Sequence, residues 1–231
     1  MPKKPNHVAL TLSGLKAFAR KHNVELPEVY RHTFSKVNDI LGMQISQNIP
    51  ILTLYVLHTS VRDSKDFSVI MDQLVKFFED LAGNEMIRTH KVKVSVLGKW
   101  YNLPGRVVEQ IKDIIDETGD YDAFFFNLCI NYDGREEIAD ACRIIARKVQ
   151  AGKLEPDDIS KEMIKESIYS SYFLPPDILI KTGANNKLKG FLMWDTTESY
   201  IYFSGKLGLE FEEEDFADAI DAWRRALKEQ N

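Results

Sequence analysis

Five short apolar runs, at His7–Leu12, Ile51–Leu57, Val92–Leu97, Phe124–Asn131 and Ile178–Lys181, are separated by longer segments of helical period. Short apolar runs of this kind are strands buried on both faces, and strands that alternate with helices pair in parallel. The chain is therefore expected to be α/β, a mostly parallel sheet surrounded by helices, in a single domain over residues 1–231. In Lys65–Asn84 the residues Phe67, Ile70, Met71, Leu74, Phe77, Phe78 and Leu81 recur at steps of three and four and make one apolar stripe. Gly134–Val149 repeats the pattern with Ile138, Cys142, Ile145 and Val149. Pro27 opens a further helix with Val29, Thr33, Val37, Ile40 and Leu41 on one side, and Phe211–Lys228 supplies the last. Pro104–Gly105, Gly152 and Pro175–Pro176 punctuate the joints.

Composition removes several function classes. With 231 residues, 44% of them hydrophobic, one core forms without disulfides or a structural metal. The 30 basic residues are scattered among 35 acidic ones for a net charge of −5, so there is no electrostatic footprint for nucleic acid. Cys129, in an apolar run, and Cys142, on a helix, have neither metal-ligand nor disulfide-framework spacing, which points to a reducing cytoplasm. No apolar segment follows "MPKKPNHVAL", and no run approaches the ~20 residues of a membrane span, so any membrane contact is expected to be peripheral. His7, His22, His32, His58 and His90 share no spacing that pairs two as zinc ligands. The acidic run Glu210–Asp215 suits the N-terminus of the last helix.

The segment "HVALTLSGLKAFARK", residues 7–21, takes a strand through a glycine into a helix, where α/β enzymes commonly place their chemistry. Yet Ser13 and Lys16 are its only polar side chains between Thr11 and Arg20, and no carboxylate stands at the joint.

Longer stretches carry a family likeness. "HVALTLSG", "ILTLYVL", "FNLCINYDGREEIADACRIIARKVQAGKLEPDDIS" and "PPDILIKTGANNKLKGFLMWDTTESYIYF", in this order, resemble the cis-prenyltransferases, or undecaprenyl diphosphate synthases. Asn131–Tyr132 with Gly134–Arg135 and Glu137–Ile138 resembles the family's N-Y-G-G-R-x-E-I, and Asp177–Gly183 its D-L-L-I-R-T-G-G. The resemblance implies a sheet wrapped by helices, a tunnel for an isoprenoid tail, a diphosphate site at its mouth, and a dimer. Where the family has D-G-N-G-R-W-A, this chain has Ser13-Gly14-Leu15-Lys16-Ala17-Phe18-Ala19. The family's metal-linked aspartate thus falls on Ser13, and its glutamate in A-Y-x-E-L-Y-F falls on Tyr200. Glu198, two residues earlier, would share a face with Tyr200 in a strand and is the one candidate for a displaced carboxylate.

The resemblance implies phosphate ligands at Lys181, Lys187 and Lys189, where the family has two arginines and a serine, and at Arg135. Lysine binds phosphate as a point charge without arginine's fork. The segment matching S-S-E-N-W-x-R-P reads "HTSVRDSK": the family's asparagine and aromatic are gone, leaving Thr59, Ser60, Arg62 and Lys65. Three readings follow. The favoured one is a non-catalytic subunit of a heteromeric cis-prenyltransferase, as in polyprenol- and dolichol-forming complexes, with a catalytic partner or a second copy as its dimer mate. In this reading the chain itself has no catalytic residue and no metal ligand, and magnesium belongs to the partner. Those subunits end in R-x-G, whereas Arg224 and Arg225 here stand in "WRRALKEQN". The other two readings are a divergent enzyme acting on an allylic diphosphate and a prenyl-chain carrier, the latter requiring a tunnel that Phe18, Phe77 or Phe78 does not plug.

Overall fold

In the computed structural model, which describes residues 3–229, all five apolar runs are strands: β1 (His7–Thr11), β2 (Ile51–His58), β3 (Val92–Leu97), β4 (Phe124–Tyr132) and β5 (Ile178–Lys181). A sixth, β6 (Tyr200–Phe203), completes a sheet of order β3-β4-β2-β1-β5-β6, and every pairing is parallel. The helices are α1 (Leu15–His22), α2 (Leu26–Ser46), α3 (Phe67–Ala82), α4 (Glu85–Thr89), α5 (Gly105–Glu117), α6 (Gly134–Gln150), α7 (Lys161–Ser167) and α8 (Glu213–Glu229). β1 joins β2 on one side and β5 on the other, so the connections leaving β1 and β5 diverge across the carboxyl edge of the sheet. In open parallel sheets that crevice is where ligands bind.

One face of the sheet carries the larger core. Val8, Leu10, Leu52 and Leu54 meet Phe34, Val37 and Ile40 of α2, Ile70, Leu74, Phe77 and Phe78 of α3, Val107 and Ile111 of α5, and Phe216 and Trp223 of α8. The opposite face has a thinner layer, in which Ala9, Cys129 and Leu179 lie beneath Tyr169, Phe173, Phe191 and Leu192. The stripe expected on α2 is buried throughout, Val29 to Leu41, and the one on α3 is buried from Ile70 to Leu81 with Phe67 half-buried at its start. On α6 the stripe is rotated: Glu137, Ala141 and Ile145 are buried while Cys142 is exposed. A carboxylate can replace an apolar residue there because its oxygens are satisfied, by the Tyr132 hydroxyl at 2.6 Å and the Tyr169 N–H at 3.1 Å.

The acidic run before α8 does more than suit a helix end. Glu210 pairs with Lys21 of α1 at 2.5 Å, Glu212 with Lys36 of α2 at 2.9 Å, and Glu213 accepts from the Ser46 hydroxyl at 2.7 Å. Asp215 accepts from the Glu212 N–H at 2.8 Å in the expected capping role. No helix among the described residues is long and apolar enough to cross a membrane.

Candidate functional site

β1 runs out at Thr11, and Gly14 turns the chain into α1 with φ 90°, a left-handed backbone that glycine adopts at no steric cost. Ser13 between them is held on both sides. Its N–H donates to the Thr182 hydroxyl at 2.8 Å, which in turn donates to the Thr11 carbonyl at 2.7 Å, and its own carbonyl accepts from the Gly208 N–H at 2.7 Å. Gly208 is forced by this approach, since a Cβ there would lie 2.7 Å from Leu12 backbone atoms.

Above this joint is a cavity of about 750 Å³. Its mouth is formed by Ser13, the first turn of α1, His58, Ser60 and Lys189, and its apolar wall by Leu26 and Tyr30 of α2 with Val56 and Val61. The N-terminus of α1 has no side-chain cap and no acidic residue in its first turn, so its N–H groups face the mouth without an internal partner. Lys16 and Lys189 line the same space, and Asp63 is the one carboxylate among its lining residues. Helix N–H groups and two ammonium ions with little opposing charge suit an anion, and the apolar wall suits a short hydrophobic tail. The wall stops at Tyr30. Phe34, one helical turn further along α2, stacks on Phe77 at 5.3 Å, Phe77 meets Phe78 edge-on at 4.9 Å, and all three are buried in the core without lining the cavity. Phe18 turns away from the cavity and packs on His22 at 4.2 Å.

Of the residues proposed as phosphate ligands, the structure brings two together. Lys189 lines the cavity; Lys181, the last residue of β5, is buried beside Thr11, with its Nζ donating to the Thr182 carbonyl at 2.7 Å. Burial pushes the Lys181 ammonium down to about 8, and the charge of nearby Lys189 adds to the effect. Lys187 is exposed on the loop that follows, and Arg135 is exposed on the first turn of α6; neither lines the cavity. Lys16, a polar residue of the joint, reaches the mouth from the first turn of α1, at a position where the resemblance implies no phosphate ligand.

Glu198 does not replace the missing carboxylate within this chain. It is exposed in the turn before β6, and Tyr200 pairs with Ile178, which pairs with Val8 at the amino end of the sheet. Ser13 lies five residues beyond Val8, roughly 16 Å along the strand direction at ~3.3 Å per residue. Tyr200 is equally remote. Magnesium, which the resemblance implies for a catalytic member, takes six oxygen ligands and holds diphosphate through anionic ones. The side-chain oxygens here are the hydroxyls of Thr11, Ser13, Ser60, Ser64, Tyr30 and Tyr55 with a lone Asp63, facing two lysines, and among the described residues no group of three His, Cys, Asp or Glu side chains could hold a metal ion. The donor set does not fit the ion. At the other end of the chain, Arg224 is committed to Asp221 at 2.7 Å and to the Lys3 carbonyl at 2.9 Å.

Comparison with known proteins bears on the whole chain. The family model for undecaprenyl diphosphate synthase matches residues 12–230. The tritrans,polycis-undecaprenyl-diphosphate synthase (geranylgeranyl-diphosphate specific) of Methanopyrus kandleri is 31% identical over 223 residues, 96% of this chain and 82% of that protein. The dehydrodolichyl diphosphate synthase complex subunit Dhdds of Mus musculus is 32% identical over 226 residues, 96% of this chain and 67% of that one. Among solved structures, lavandulyl diphosphate synthase from Lavandula x intermedia, in complex with dimethylallyl diphosphate, superposes with a TM-score of 0.89 at 26% identity, covering 96% of this chain and 95% of that one.

Proposed function

The chain belongs to the cis-prenyltransferase family of undecaprenyl diphosphate synthases, and from that premise we propose that it is a non-catalytic subunit of a heteromeric cis-prenyltransferase making long-chain polyprenyl diphosphates. One observation carries the reading: the mouth of the cavity has two lysines and an uncapped helix but hydroxyls and a single carboxylate where a metal-bound diphosphate needs several. Ionising an allylic diphosphate places growing negative charge on the leaving group, and a divalent cation supplies most of its stabilisation. Without that cation the site can hold a diphosphate but has no means to drive its departure. One of the relatives is itself named as a complex subunit, which supports an assembled role. The carrier reading loses ground to the packing of Phe34 on Phe77, which fills the space between α2 and α3 that a long chain would need.

The test is isopentenyl incorporation with an allylic primer and magnesium. This protein alone is expected to give no elongation, and co-purification with a catalytic homologue from the same genome is expected to raise that homologue's rate. Sustained elongation by the isolated protein would overturn the proposal in favour of a divergent enzyme, the reading that the open, cation-lined cavity supports second. Ser13→Asp adds a further expectation. It restores one carboxylate but leaves Leu15 and Ala17 where the family has an asparagine and an arginine, and Tyr200 where it has a glutamate. Groups that act as a unit are strongly non-additive, so the isolated variant is expected to remain without measurable elongation in the same assay. Product from Ser13→Asp alone would mean that the site lacks only that one group.

A further inference from the structure

The turn that brings Lys189 to the cavity is strained. Lys189, Gly190 and Leu192 have φ of 52°, 77° and 43°, and the left-handed region disfavours the two that carry side chains. Strain of this kind persists only where surrounding contacts hold it. Here three contacts do. The Leu192 N–H donates to the hydroxyl of fully buried Tyr132 at 3.1 Å, and that hydroxyl donates to Glu137 Oε2 at 2.6 Å. Because an amide N–H can only donate, the direction of both bonds is set. The second oxygen of Glu137 accepts from the Tyr169 N–H at 3.1 Å, so one buried carboxylate ties the turn to the start of α6 and to the chain leaving α7. Phe191, also fully buried, stacks on Tyr55 at 5.1 Å and meets Tyr132 edge-on. The Gly190 carbonyl, finally, sits so close to Gly134 that no side chain fits between them.

Tyr55 is itself a wall of the cavity and donates its hydroxyl to the Tyr132 carbonyl at 3.0 Å, so both ends of the arrangement reach the site. We infer that the Tyr132 hydroxyl is a positioning group for Lys189: through Leu192 it holds the turn that presents the lysine ammonium to an anion at the mouth. Tyr132 is fully buried and does not line the cavity. The inference rests on the reading that Lys189 takes part in binding diphosphate.

Calorimetric titration of the folded full-length chain with inorganic pyrophosphate, well below its unfolding temperature, tests it through a double-mutant cycle. Lys189→Ala and Tyr132→Phe are each expected to weaken binding roughly ten-fold, and the double variant to bind no more weakly than Lys189→Ala alone, because the hydroxyl acts only through the lysine. A purely structural hydroxyl would lower the unfolding temperature of Tyr132→Phe and leave the affinity of the folded protein within two-fold of wild type, which overturns the inference. Additive losses overturn it as well. If Lys189→Ala binds as wild type does, or wild type binds no pyrophosphate at millimolar concentration, the reading of Lys189 itself fails and the inference with it. Glu137→Gln, which keeps the volume but disturbs the polarity of the clamp, gives the same readout if Tyr132→Phe does not fold, and is expected to weaken binding in the same direction.

Discussion

Gly134→Ala is expected to destabilise the protein by about 3 kcal/mol, at the upper end of what overpacking costs. The added Cβ would lie 1.9 Å from the Gly190 carbonyl oxygen and 3.2 Å from Met193 Cγ. The methionine side chain can move, but the carbonyl belongs to a backbone already held by Tyr132 and by the buried Phe191 ring. Either α6 shifts at its first residue or the Lys189–Leu192 turn lifts off it. For a chain of this size the loss corresponds to a fall of roughly 6–12 °C in Tm. Gly42 gives the matching control. It lies inside α2 with nothing within 4 Å of an added Cβ, so Gly42→Ala is expected to stabilise by about 0.5–1 kcal/mol through helix propensity and a less flexible unfolded chain. Thermal unfolding of both variants decides the matter. Equal and small shifts would mean that the contact between Gly134 and Gly190 relaxes freely.

The fold was legible where burial is two-sided. β1 is buried at every position, and the inner strands read as nearly continuous apolar runs for that reason. β6 escaped that reading because it is an edge strand of four residues, only half-buried, that follows a long series of turns. α5 follows the Pro104–Gly105 joint, and Val107, Ile111 and Ile114 give it one buried face. On α6 the spacing misleads: Cys142, part of the expected stripe, is exposed and Glu137 is buried, because Tyr132 and Tyr169 supply Glu137 with partners that no local pattern reveals. The same limit governed the site. The loss of the carboxylate at Ser13 could be read directly, but the distance of Glu198 from it depends on which end of β6 faces which end of β1. That is a matter of strand register across β5, and it cannot be read from spacing in the chain. Lys181 and Lys189 are both marked by the family resemblance, whereas the part of Lys16 at the mouth depends on the geometry of the helix start.

The second large effect is one of pH, and it comes from a residue remote from the cavity. His7 opens β1 and is buried, with Nδ1 2.5 Å from the Leu174 carbonyl and Nε2 2.8 Å from the Thr53 hydroxyl. A carbonyl only accepts, so Nδ1 carries the proton and Nε2 is the acceptor of a neutral ring. The Thr53 oxygen in turn accepts from Asn127 Nδ2 at 3.0 Å, which leaves its hydrogen directed at His7. A second proton on the ring would face that hydroxyl hydrogen in a buried site. Burial accordingly pushes the His7 pKa from 6.5 down to about 4; Lys165 works in the same direction, while the Leu174 carbonyl, Asp195 and Asp177 oppose it. Between those two values the unfolded chain binds a proton at His7 that the folded one refuses, so stability rises with pH through this window and falls as pH drops. Each pH unit is worth about 1.4 kcal/mol, and the full window about 3 kcal/mol. Urea unfolding from pH 7.5 to pH 4 is expected to show this loss in the wild type. His7→Gln, which keeps a donor and an acceptor but has no titrating proton, is expected to be less stable at pH 7.5 and to lose markedly less on acidification. Taking the difference between the two proteins removes the opposing contribution of Glu137, whose carboxyl is held above its ordinary range by burial and is common to both. Parallel curves for wild type and His7→Gln would show that the ring accepts its second proton in the folded state, with Thr53 and Asn127 rearranging to receive it.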